Sequence, residues 1–386
     1  MIKNVALKRT LKKTIFPILT QINKVIPKND KIILLYSANE GIRHNLKPLK
    51  DYLLEHEYDK KYKIVCGIQS MQYADSEKRV EYVTPLKSIL YFFIAKHVYY
   101  TTGQIPIKPS KNQIVIQLDH GTTAIKTVGA WSNINNGDDF YFTYYMAPSE
   151  IYVPIIQQEL LCEESNVAIN GEPVNDLLFK ECEKYDLGQF KKIGLWAPTF
   201  RQSDLAGYDD SSEDLLPMFP REYYEELNNV LVSHDIKLMV KIHAGQNLAD
   251  YDDFSFSNLE ILSDKEFNKR GYELYSLMQQ TDFILGDYSS VYLQYLLLDK
   301  PIGFVIPDLE EYKERRGFIF ENILDYMPGH IIQDREALYK FFEDISIGKD
   351  EYVGDRKRVR DIIHAYQDGN NCMRALEISR IYINEE

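Results

Sequence analysis

Two histidines stand directly after apolar runs of the buried-strand kind. His120 follows residues 114–118 and opens the turn His120-Gly121-Thr122-Thr123, and His243 follows residues 237–242. The chain holds eight histidines, so two at strand ends single themselves out. Imidazole titrates near neutral pH, and on a backbone-exposed turn it can serve as a general base. The alternative for each is a loop histidine bonded to backbone. Asp119 adjoins His120, but neighbours in an extended chain point apart, so it is a poor orienting partner.

A second set surrounds Asp287. Residues 283–285 form a short apolar run that Gly286 and Asp287 end. Ser289 or Ser290 then stands at a helix start, because Val291, Tyr292, Tyr295, Leu296 and Leu298 recur at helical spacing. A strand, a turn with two hydroxyls and a helix N-terminus favour a phosphate. The same residues could serve only as helix caps, and spacing leaves both readings open. Thr199 and Arg201 follow the run 193–196, and Arg316 lies in a polar turn after 302–306. Arginine suits bidentate phosphate binding, although exposed arginines are also ordinary surface residues. There is no G-x-x-x-x-G-K-[ST], H-E-x-x-H or G-x-S-x-G, and no G-x-G-x-x-G after the first strand. Nicotinamide and flavin enzymes are therefore disfavoured.

The elements that must position these side chains alternate along the chain. Strands are expected at 32–36, 62–67, 97–101, 114–118 and 167–170, with helices at 45–54 and 86–95. The alternation repeats with strands at 193–196, 237–242, 259–262, 283–285 and 302–306. Helices are expected there at 223–233, 272–279, 338–345, 355–364 and 373–382. This spacing predicts an α/β chain with two doubly wound, mostly parallel sheets facing across a cleft. Ligands in such sheets bind beyond the carboxyl ends of the strands, where both residue sets lie. A polar stretch at 183–191 reads as the hinge.

The chain has 386 residues, enough for two domains, and a net charge of -13. That balance argues against nucleic acid as a partner. Four scattered cysteines, with no C-x-x-C pair, read as reduced structural thiols of a cytosolic protein. No run is long and apolar enough to span a membrane, and no apolar signal-peptide core follows the basic start. Residues 1–28 carry seven Lys and Arg and no acidic residue. Leu7, Leu11, Ile15, Ile18, Leu19, Ile22, Val25 and Ile26 share one helical face, interrupted by Pro17. Such a basic amphipathic helix suits an anionic membrane surface; the alternative is a helix packed on the protein's own core.

Several segments together resemble the CDP-glycerol glycerophosphotransferase family of teichoic-acid glycerol- and ribitol-phosphate transferases. They are His120-Gly121-Thr122, Gly171-Glu172-Pro173-Val174-Asn175-Asp176, Ala197-Pro198-Thr199-Phe200-Arg201, His243 and Gly286-Asp287-Tyr288-Ser289-Ser290. Lys300-Pro301, Asp308-Leu309, Tyr312, Arg316-Gly317-Phe318, Pro328-Gly329 and Asp368-Gly369 follow in the family's order. The resemblance covers residues 95–380. Val174 stands where the family has Arg, Asp119 where Trp is common, and Ala-Gly follows His243.

The resemblance implies a GT-B-like fold of two Rossmann-like domains. Residues 1–28 would be the membrane-contact helix, 29–185 the acceptor domain and 186–386 the CDP-alditol donor domain. The last helix is free to return to the first domain. It implies transfer of glycerol phosphate from CDP-glycerol, or ribitol phosphate from CDP-ribitol, to a hydroxyl of a lipid-linked saccharide or polyol-phosphate acceptor. CMP is released, at the inner face of the cell membrane. His120 takes the role of base, and His243, Ser289 and Ser290 the diphosphate. Arg316, Arg201 and Thr199 are further phosphate contacts, with Gly121, Thr122 and Asp287 in support. No metal-ligand cluster is visible, and a Mg ion could accompany the diphosphate. Two rival readings share many of these features: a GT-B nucleotide-sugar glycosyltransferase, and a non-catalytic membrane-bound binding protein.

Overall fold

The computed structural model describes residues 5–38, 41–101, 103–118, 125–127, 141–199, 202–203, 208–209, 216–242 and 256–383. Side chains are described throughout these except at 5–13, 202–203 and 208–209. The chain divides into two compact units. The first comprises Met1–Thr122, Gly129–Phe179 and His364–Glu386, and the second Thr123–Val128 and Lys180–Ile363.

The first unit opens with helix α1 (Val5–Val25), followed by β1 (Asn29–Tyr36), α2 (Leu46–Glu55), β2 (Lys63–Gly67) and β3 (Val80–Val83). It continues with α3 (Pro85–Ile94), β4 (Ala95–Tyr100), β5 (Ile114–Gln117), β6 (Tyr144–Ala147), α4 (Val153–Leu160) and β7 (Val167–Ile169). The sheet is parallel, in the order β3-β2-β1-β4-β5-β6-β7. Ile32 to Leu35 form an unbroken apolar run because β1 is covered on both faces, and all four are buried.

α1 docks by polar contacts. Asn23 Nδ2 donates to the Lys108 carbonyl at 3.1 Å and to Gln113 Oε1 at 2.9 Å, and Thr20 Oγ1 accepts from Lys108 N–H at 3.2 Å. Lys28, just beyond the helix, donates to the Phe93 carbonyl at the end of α3. Burial pushes its ammonium down to about 8.

The second unit contains β8 (Lys192–Trp196), the antiparallel pair β9 (Gln202–Ser203) and β10 (Tyr208–Asp209), α5 (Tyr224–Ser233), β11 (Ile236–Lys241) and β12 (Leu259–Leu262). Then come α6 (Asp264–Lys269), α7 (Leu274–Gln280), β13 (Phe283–Gly286), α8 (Val291–Tyr295), β14 (Ile302–Val305) and α9 (Leu309–Arg315). β15 (His330–Ile332), α10 (Arg335–Ser346) and α11 (Val353–Ile363) complete it. Its parallel sheet runs β12-β11-β8-β13-β14-β15. Trp196, Phe283, Leu285, Phe341 and Phe342 lie in one buried core.

The chain then ends in α12 (Asn371–Ile378), which belongs to the first unit. Tyr99 Oη donates to the Ala375 carbonyl at 3.2 Å, and His97 Nδ1 lies 3.0 Å from Ser379 Oγ.

The unit boundary falls at 179/180 rather than at 185/186. The polar stretch expected as a hinge is bonded into the second unit, Tyr185 N–H donating to Gln280 Oε1 at 2.9 Å and Lys191 N–H to Asp235 Oδ2 at 3.2 Å. β3, β6 and β15, with three or four residues each, had no expectation from periodicity.

Candidate active site

β8 is the first strand of the second sheet. From it the chain winds outward through β11 and β12, then returns to β13 on β8's other side. The strand order therefore reverses between β8 and β13, and the crevice of such a sheet opens at their carboxyl ends. Ala197 to Thr199 leave β8 there, and Asp287 leaves β13.

Asp287 is fully buried and holds the two ends together. Its carboxylate accepts the Thr199 N–H at 2.9 Å on Oδ2 and the Thr199 hydroxyl at 2.6 Å on Oδ1. It also accepts the N–H of Ser289 at 3.0 Å on Oδ1. An aspartate that accepts an N–H two residues on closes a tight turn. Here the same carboxylate bridges to the neighbouring strand. Thr199 gives its hydroxyl proton to Asp287 and so shapes the turn.

The residue between is fixed as firmly. Tyr288 is buried, donates from Oη to Asp308 Oδ1 at 2.8 Å, and stacks on Tyr312 at 3.9 Å between ring centroids. Phe318 completes the aromatic set, 5.6 Å from Tyr288 and 5.9 Å from Tyr312. Asp308 is the N-cap residue of α9, and Gly317, at φ +78°, lies just past its end. A left-handed residue there releases the chain from the helix at no steric cost to glycine. The 308–318 block thus acts as a clamp on Tyr288.

Ser289 and Ser290 are half-buried at the head of α8. The Ser290 side chain makes no capping bond to the helix, so its hydroxyl is not committed to the first turn. α8 is five residues long and passes into a 3-10 turn at Leu296–Leu298.

Arg316 is half-buried, with Nε and Nη1 withdrawn from solvent. Its carbonyl accepts the Thr127 hydroxyl at 2.6 Å, and Thr127 N–H donates to the Gly317 carbonyl at 3.3 Å. Ile319 N–H donates to the Ile125 carbonyl at 3.0 Å, and Lys126 bridges Phe318 in antiparallel sense. Residues 125–127, shortly after His120 in sequence, therefore belong to the second unit, a placement no sequence signal announced.

Of the residues singled out by sequence, Thr199, Asp287, Ser289, Ser290 and Arg316 are described, and Asp287 ties Thr199 to Ser289. His120, Gly121, Thr122, Arg201 and His243 lie outside the described residues. Among the described residues, no group of three or more His, Cys, Asp or Glu could hold a metal ion. Sequence reasoning passed over the roles of Thr127, Asp308 and Tyr288; only the motifs Gly286–Ser290 and Asp308-Leu309, in their order, hinted at the last two.

Two doubly wound parallel sheets, each with its own reversal of strand order, define a GT-B-type α/β protein. Residues 18–378 match the CDP-Glycerol:Poly(glycerophosphate) glycerophosphotransferase family, and the chain belongs to it. The fold is that of the wall teichoic acid polymerase TagF, with a TM-score of 0.73 at 18% identity over 98% of this chain and 95% of that one. The teichoic acid ribitol-phosphate polymerase TarL of Staphylococcus aureus is 25% identical over 90% of this chain, which spans 62% of that protein's length. The teichoic acid glycerol-phosphate primase of Bacillus subtilis is 24% identical over 91% of this chain and 92% of its own.

Proposed function

We propose that this chain transfers an alditol phosphate, glycerol phosphate in the first instance, from its CDP-alditol to a hydroxyl of a lipid-linked or polymer acceptor in cell-envelope polymer synthesis. The family match over residues 18–378, which encloses every motif from His120 to Gly369, carries the reading. The acceptor oxygen attacks the β-phosphorus in line. The bond from that phosphorus to the bridging oxygen breaks, and CMP leaves with that oxygen. His120 takes the hydroxyl proton, and His243, Ser289 and Ser290 hold the diphosphate, with Arg316 and Arg201 as further cationic contacts. Positioning and charge stabilisation dominate such a transfer. A Ser290 hydroxyl that makes no capping bond to α8 supports its part in this scheme. Any Mg ion would ride on the diphosphate.

Relatives that use either alditol match this chain, so CDP-ribitol is the second reading. A panel of CDP-glycerol, CDP-ribitol and UDP-sugars with a lipid-linked acceptor, read by CMP release and product mass, tests both. Turnover of UDP-sugars alone would point to a glycosyltransferase, and no turnover with any donor to a binding protein. His120→Ala should abolish CMP release while leaving donor binding largely intact.

We further propose that the first unit rests on the cytoplasmic face of the membrane. Among the described residues no helix is long and apolar enough to cross one. Ile15, Ile18, Ile22 and Val25 of α1 are exposed, while Thr20 and Asn23 on its other face dock by hydrogen bonds. α3 exposes Leu86, Leu90 and Ile94 at helical spacing. Apolar side chains turned outward, joined to a basic run, suit the interface of an anionic bilayer.

A further inference from the structure

Asn45 stands at the N-cap of α2, yet its side chain makes no capping bond to that helix. It is 1% exposed. Its amide is directed at two distant loops instead. Nδ2 donates to the Leu118 carbonyl at 3.1 Å, and Oδ1 accepts the Val174 N–H at 3.0 Å. These partners lie 73 and 129 residues away in the chain.

Leu118 is the last residue before Asp119-His120. Its own N–H donates to the Tyr100 carbonyl at the end of β4, at 2.9 Å. A peptide unit is planar, so holding the Leu118 carbonyl sets the direction in which the chain leaves β5. Val174 lies in the Gly171–Asp176 loop, which is itself anchored. Asp176 accepts the N–H groups of Asn371 at 2.8 Å and Cys372 at 2.7 Å, capping α12. Asn371 Nδ2 donates to the Glu172 carbonyl at 3.3 Å, and a Cβ on Gly171 would stand 2.4 Å from Asn371 Oδ1. A buried chain of bonds thus runs from α12 through the 171–176 loop and Asn45 to Leu118, two residues before His120 in sequence.

We propose that Asn45 is a positioning residue for the reaction, because it ties the 171–176 loop to Leu118, the end of the strand from which the chain continues to His120. The inference rests on the reading of His120 as the base. A buried amide bonded to two backbone groups from different elements fixes both, and small misplacements of a catalytic group cost rate far more than affinity.

The test uses the full chain with whichever CDP-alditol the wild-type protein turns over and a lipid-linked acceptor. Asn45→Asp keeps an acceptor for Val174 N–H but sets a carboxylate oxygen against the Leu118 carbonyl; Asn45→Ala removes both bonds. Both should lower kcat by about ten- to a hundredfold, with the donor KM within about threefold of wild type. Asn258→Ala, which deletes a buried amide bond to the Ile236 carbonyl in the second unit, controls for loosening and should lower the thermal midpoint without lowering kcat. His120→Ala sets the floor. Folded Asn45 variants with wild-type kcat beside an inactive His120→Ala would overturn the role of Asn45 alone. So would an equal loss of kcat in Asn258→Ala. An active His120→Ala would overturn the reading of the base, and the Asn45 proposal with it.

Discussion

Thr199 and Asp287, 88 residues apart, meet at the point where the strand order of the second sheet reverses, and the carboxylate of one takes both the N–H and the hydroxyl of the other. A buried carboxylate that accepts several protons in hydrogen bonds is cheap to keep only while every donor stays in place. The pair therefore couples the exit of β8 to the turn that carries Ser289 and Ser290.

Removing the acceptor strands its donors. Asp287→Ala should destabilise the chain by about 3 kcal/mol or more in urea unfolding and weaken donor binding with it. Thr199→Val should cost about 1 kcal/mol, and Thr199→Ser, which keeps the hydroxyl, should restore the wild-type midpoint. Equal midpoints for the valine and serine variants would mean the hydroxyl bond contributes nothing.

Ser290 separates two roles. A capping serine loses about 0.5–2 kcal/mol on conversion to alanine. Because no capping bond is made, Ser290→Ala should change stability by less than about 0.5 kcal/mol. Its donor affinity, measured by calorimetry, should fall by about tenfold through loss of one hydrogen bond to a charged group. Unchanged affinity would remove Ser290 from the phosphate site.

His97 gives the first unit an acid-sensitive joint. Burial, with a smaller part from neighbouring Lys96, pushes its imidazole from the ordinary 6.5 down to about 4. Between those values the unfolded chain binds the proton and the folded chain does not, so stability is full above pH 6.5 and falls as the pH drops towards 4. The loss attributable to this one group is at most about 3 kcal/mol. His97→Asn should show a shallower loss of unfolding free energy between pH 6.5 and 4.5 than wild type; parallel curves would exclude the histidine as the cause.

The outward faces of α1 and α3 can be altered without touching their docking bonds. Ile18→Asp and Leu90→Asp replace exposed side chains, 62% accessible in each case, so stability should stay within about 0.5 kcal/mol of wild type. Sedimentation with vesicles of anionic lipid should fall in both and further in the double variant. Binding equal to wild type in all three would place the membrane contact elsewhere or nowhere.

Much of the second unit was readable from local pattern. The apolar runs at 193–196, 283–285 and 302–306 became β8, β13 and β14 within a residue or two, because strands covered on both faces must be apolar throughout. The Asp287 turn was legible as a strand–helix junction, and its two candidate roles could not be separated there. That choice depends on what lies across the sheet from Asp287, and the answer, Thr199, follows from strand order alone.

The sequence by itself determined the residue types at each strand end, the alternation that makes two parallel sheets, and the ordered motifs that place the chain in its family. These are properties of contiguous segments, set by side-chain chemistry and periodicity. Only the tertiary structure decided that residues 180–191 belong to the second unit, that Thr127 bonds to Arg316, and that α1 turns Thr20 and Asn23 inward and Ile18 outward. It also decided that Asn45 leaves its own helix uncapped to join Leu118 to Val174. Each of these is a hydrogen bond or a burial between positions far apart in the chain. Their geometry exists only once the sheets have formed, and no window of neighbouring residues contains it.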